Sequence, residues 1–206
     1  MADLGNILFV TERLQPTPLP APEGDDRPFR ASRSSQGLIG LGIFLTMIAG
    51  LVFMGRPLIC PCGIVSFWQG PLTQAENSQQ FSDWYSLLHA VFGAGLYAFV
   101  TLLRPIWKTS EKLLAALLGS ALWEGMENTP FLIGLFSDSP NAPDYFGDTI
   151  LNATGDTLFV LLGFSIAARL PLPATLALAV FAEVAVTLAV DDGLVLGSLR
   201  LLGINV

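Results

Sequence analysis

The sequence predicts an all-α, polytopic membrane helix bundle of about five transmembrane helices, with its amino terminus in the cytoplasm. Three observations predict it. Of 206 residues, 52% are hydrophobic and only 13% charged, whereas soluble domains carry about a quarter charged residues. Apolar runs of near span length recur along the chain, and basic residues gather on alternate connections between them, the pattern that orients multi-pass proteins.

Residues 1–36 hold Pro16, Pro18, Pro20, Pro22 and Pro28, then Glu23, Asp25 and Asp26 beside Arg27, Arg30 and Arg33. This composition predicts a disordered cytoplasmic tail, and it leaves 37–206 as the transmembrane helical domain. Asp3 and Glu12 bracket an apolar stretch too short for a secretory h-region, so no leader is expected.

The first span is expected at 37–55, uninterrupted by charge; a long loop over 56–82 follows, with Trp68 and Phe67 suited to the headgroup level. The second runs from 83 to 103 and stops at Arg104 and Pro105. The third covers 113–136, before a turn-rich loop at 137–145. The fourth covers 146–170 and the fifth 174–190, ending at Asp191-Asp192-Gly193 and an unplaced apolar tail.

With the amino terminus inside, eight basic residues fall on the cytoplasmic side and only Arg56 and Arg200 outside. The chain is thus expected to be a multi-pass protein of the bacterial cytoplasmic (inner) membrane whose 56–82 and 137–145 loops face outward. Membrane lipids are the expected surroundings, with a homo-oligomer or a membrane-protein partner open. The few Lys and Arg residues form no nucleic-acid-binding pattern.

Ionisable groups in a bilayer interior are costly and tend to face a protein interior or a water-filled site. Glu124, Glu127 and Asn128 stand three and four residues apart, on one helical face, and Asp148, Asn152 and Asp156 repeat every four. Asp83 opens the second span, and His89 lies about 9 Å deeper by helical rise. These groups are expected to meet in one outward-opening pocket, with Glu183 a further neighbour. Glu124, Glu127, Asp148 and Asp156 are the candidate catalytic acids; Asp83, Asn128 and Asn152 complete the pocket.

Carboxylates with one imidazole suit a divalent cation, for which His89, Glu127 and Asp148 are the candidate ligands. Acids shielded from water also suit proton transfer. No HExxH, GxSxG or glycine-rich phosphate loop occurs. Cys60 and Cys62 flank one proline, and free thiols, a labile bridge or an intermolecular pair are all open. Without a thioredoxin-like context the pair reads as loop structure rather than a redox centre.

The segments Met54 to Gly63, Glu76 to His89, Trp123 to Phe131 and Asp144 to Asn152 resemble a bacterial membrane family, domain of unknown function twenty-five eighty-five. The likeness extends over roughly residues 37–200 and implies the helical membrane fold without implying a reaction. The family pattern is expected to carry a histidine where this chain has Gln80, and a serine where it has Leu88. The order of a histidine helix, an acidic helix and an Asp/Asn helix is also loosely similar to VanZ-like membrane proteins. The residues point to an outward pocket acting on a lipid-linked or envelope substrate, with metal dependence possible. Proton or cation binding or transport, and a non-catalytic assembly subunit of a membrane complex, are the alternatives.

Overall fold

The computed structural model describes residues 32–71, 73, 75–137 and 144–204. The described residues form helices and loops without strands: α1 (Arg33–Phe53), α2 (Trp84–Leu103), α3 (Thr109–Glu127), α4 (Pro130–Ser137), α5 (Ile150–Ala167), α6 (Leu172–Val190) and α7 (Leu194–Leu201). Four of them, α1, α2, α5 and α6, are long and apolar enough to cross a membrane. The chain is thus a polytopic helical bundle. Most of the tail expected over 1–36, and the centre of the loop expected at 137–145, lie outside the described residues.

Local chemistry explains where the helices begin and end. α1 starts at Arg33, four residues before the expected span, because the Ser32 hydroxyl accepts from the Ser35 amide and caps it. α2 starts where expected: Asp83 accepts from the Tyr85 and Ser86 amides, and Ser86 returns a bond to the Asp83 amide.

The third apolar stretch differs from its expectation of one span over 113–136. It is split into α3 and α4, because Pro130 lacks an amide and disfavours helical geometry at Thr129. α3 has span length at 19 residues, yet it bears Glu111, Lys112, Glu124 and Glu127 and is packed among α1, α2 and α5. The fourth span begins at Ile150 rather than 146, since Gly147 takes φ +82° and Thr149 supplies the cap. The unplaced tail is α7, reached through Asp191 at φ 52°.

α5 sits at the centre, with α2 and α3 against it and each other; α1 packs outside on α3, and α6 outside on α2. Met47 and Leu51 of α1 meet Ile150 and Ala153 of α5 in a small apolar core. Phe53, Phe181 and Leu188 point outward from α1 and α6, as suits helices bathed in hydrocarbon.

Glycines set the central seam. A Cβ on Gly93 of α2 would fall 1.9 Å from the Val160 carbonyl oxygen, and one on Gly163 of α5 would fall 1.8 Å from that of Ala90. Gly155 meets the Phe81 carbonyl in the same way, at 1.7 Å. Backbone approaches backbone here because there is no side chain to hold it off.

Gly163→Ala and Gly93→Ala should therefore each destabilise the protein by at least about 1–3 kcal/mol, the usual cost of overpacking. Gly95→Ala, where nothing lies within 4 Å, should be neutral or mildly stabilising. Thermal unfolding of the purified variants in detergent is the measurement; equal melting temperatures for all three would contradict the seam.

Candidate functional site

The site is built on the residues just before α5. Asp148, expected as the first member of a helical stripe, lies two residues ahead of the helix and is held from four directions. Its Oδ1 accepts from the Tyr145 hydroxyl at 2.9 Å and its Oδ2 from Asn128 Nδ2 at 2.6 Å. Its amide donates to Asn128 Oδ1 at 2.8 Å, and its carbonyl accepts from Arg56 Nε at 2.8 Å. The Arg56 guanidinium rests against Gly147, where a Cβ would come within 2.6 Å of Cζ. Burial raises the Asp148 carboxyl above its ordinary range, opposed by the Tyr145 and Asn128 bonds. Burial likewise lifts the Tyr145 phenol, with the Asp148 charge adding to it.

The loop between α1 and α2 closes over this point. The Ile150 and Leu151 amides donate to the Pro57 and Leu58 carbonyls, and Thr149 donates through its amide to Ser78 and through its hydroxyl to Gln79. Gln79 Nε2 donates to the Gly147 carbonyl at 2.9 Å, and Asn152 Nδ2 to that of Gln80 at 2.9 Å. Asn152 is therefore a fully buried strut that joins helix to loop.

Deeper in, the lone histidine stands between two acids. His89 Nδ1 lies 3.8 Å from Glu124 Oε1, and Nε2 lies 3.7 Å from Asp156 Oδ2. The other Asp156 oxygen accepts from the Ser86 hydroxyl. By contrast, His89 Nδ1, both Glu124 oxygens and Glu127 Oε2 are buried with no hydrogen-bond partner among the described residues. Ligand atoms of His89, Glu124 and Glu127 all lie within 4.8 Å of one another. One imidazole and two carboxylates so placed are a donor set for a divalent ion of the Mn, Fe or Zn type. This set takes Glu124 where the sequence pointed to Asp148, whose oxygens are engaged by Tyr145 and Asn128.

A chamber of about 320 Å³ opens on the cluster. His89, Glu127, Asp148 and Asp156 form a polar side, while Phe92, Trp123, Phe136 and Leu194 are among its apolar walls. Glu124 sits behind His89, fully buried. Asp83, expected at the mouth, is also fully buried; its carboxyl is raised to about 7 by burial first, then by Asp156 and Asp148. Asn128 acts through Asp148. Glu183 does not join the cluster: its carboxylate accepts from the Leu194 and Val195 amides at 3.0 and 2.9 Å and caps α7.

Several participants escaped the sequence reading. Ser86 sits one turn after Asp83, at the position where a capping box places its return partner, and that spacing was a usable signal. Tyr145 and Arg56 gave none, since their contacts depend on how the loops fold back.

The family described as "Protein of unknown function (DUF2585)" matches residues 51–204. A UPF0314 protein of Brucella anthropi is 40% identical over 165 residues, covering 80% of this chain and 84% of the relative. One from Sphingopyxis alaskensis is 38% identical, covering 80% and 87%; another, from Rhizobium meliloti, is 38% identical, covering 86% and 89%. The chain belongs to this family of membrane-helix proteins of unknown function. No solved structure matches it, and these matches add nothing to the looser VanZ-like similarity.

The raised carboxyl of Asp83 has a definite sign in stability. A buried acid that stays protonated up to about pH 7 while its unfolded counterpart ionises near 4 makes the folded state lose stability as pH rises across that interval. Asp83→Asn keeps the helix cap and removes this titration. Its melting temperature should fall less than that of the unaltered protein between about pH 4 and pH 7; parallel curves would refute the assignment.

Proposed function

We propose that the protein is a multi-pass protein of the bacterial cytoplasmic membrane whose outward-facing chamber binds a divalent cation and acts on a lipid-linked or envelope substrate. The observation that carries this reading is the convergence of unpartnered buried donor atoms from His89, Glu124 and Glu127. A buried polar atom left unsatisfied costs about 1–3 kcal/mol, and a cation would satisfy all of them together. Asp156 stands at the far nitrogen of His89, where carboxylates orient ligating imidazoles.

The chamber supports the substrate class. Its polar side suits a phosphate or acyl head, and the walls around Phe92, Trp123 and Leu194 suit an attached hydrocarbon chain. A bound cation would polarise the phosphoryl or acyl oxygen. Glu127, Asp148 and Asp156 border the same space, and a carboxylate there would take the proton from attacking water. The bias of basic residues toward one side supports an opening away from the cytoplasm.

Elemental analysis of the purified full-length protein should find one divalent transition metal per chain, lost on Glu124→Gln and on Glu127→Gln. Asp156→Asn should weaken binding by about 10–100-fold, as loss of an orienting carboxylate does. Metal-free protein after growth in metal-replete medium, or unchanged stoichiometry in both glutamine variants, would remove the cation from this reading.

A further inference from the structure

Cys60 and Cys62 are joined by a disulfide across the single residue Pro61. A cross-link over so short a loop removes little entropy from the unfolded chain, so structural stapling is a weak reason for it. The local turn holds without the bond: Gly63, at φ +79°, donates its amide to the Cys60 carbonyl at 3.0 Å, and proline is the preferred second residue of such a turn. The two sulfurs therefore remain neighbours when reduced.

The sulfurs are unequal. Cys60 is 2% exposed, whereas Cys62 is exposed. The Cys62 amide points at Cys60 Sγ at 3.2 Å, where it would stabilise negative charge on that sulfur. An external thiolate can reach Cys62, and the sulfur that must leave is the one with the nearer donor, at 3.2 Å against the 4.0 Å from Gln80 Nε2 to Cys62 Sγ.

We infer that the Cys60–Cys62 pair is a thiol–disulfide exchange site, attacked at Cys62 and released at Cys60, that oxidises a dithiol partner. The partner's first thiolate forms a bond to Cys62 Sγ as the Cys60–Cys62 bond breaks, and the electron pair leaves on Cys60. Its second thiolate then attacks the partner sulfur of that mixed disulfide and expels Cys62. The partner becomes a disulfide, the cysteine pair gains two electrons, and the two protons lost by the partner's thiols balance those taken up by Cys60 and Cys62. The inference is independent of the cation and of the chamber.

The test uses the full-length protein in detergent, incubated with glutathione redox mixtures or a reduced dithiol peptide, quenched in acid and labelled with a mass-tagged maleimide. The folded protein should be reduced and reoxidised reversibly and should oxidise the peptide one for one. Cys60→Ser should capture glutathione on Cys62 at least about ten times faster than Cys62→Ser captures it on Cys60, following sulfur access. If either variant misfolds, the order of alkylation in the reduced unaltered chain replaces the comparison, with Cys62 expected first. A disulfide that yields only after denaturation, or two cysteines of equal reactivity, would overturn the inference.

Discussion

The first turn of α5 is the point on which the interior depends. A helix beginning inside a protein leaves amides that must find acceptors, and here they are met by carbonyls of the α1–α2 loop and by the Thr149 hydroxyl. The same bonds fix Asp148 in front of the helix and Asp156 on its inner face. Without the loop's carbonyls, α5 would begin with bare amides in a region that water enters poorly, and its acids would lose their registration with His89.

This arrangement also explains how so acidic an interior is tolerated. Asp148 is surrounded by donors, Asp156 has Ser86 and faces His89, and Asp83 caps α2. Exposed apolar side chains cover α1 and α6 and the outer faces of α2, α3 and α5, as at Leu102, Leu122 and Leu162, so the inner faces of those three helices can carry polar chemistry. The protein separates the two demands by helix face as well as by depth. Glu124 and Glu127, like Asp83 at Oδ2, retain buried oxygens without a hydrogen-bond partner among the described residues.

The helical class and the meeting of His89 with Glu124, Glu127, Asp148 and Asp156 were legible, because helical spacing constrains side-chain direction and charge in apolar runs must turn inward. The break at Pro130 was legible in principle, since proline's missing amide is a local property. The true start of α5 was harder: Gly147 and Thr149 decide it, and an i, i+4 pattern continues past a helix end without marking it. Glu183 misled because an acid in a span reads as a site residue, when its task is to cap α7. Tyr145 and Arg56 reach Asp148 only through loops whose paths no periodicity encodes. Cys60 and Cys62 left several states open in the sequence, and the turn at Gly63 brings them together.

The glycine contacts along α2 and α5 have a mechanical meaning. Two meshed points between the helices, at Gly93 and Gly163, oppose sliding of one along the other, and Gly155 holds α5 to the Phe81 carbonyl just ahead of α2. His89 of α2 and Asp156 of α5 are carried on the two helices that these contacts lock together. Any breathing of the chamber falls to its rim, where α7 hangs from the Glu183 carboxylate.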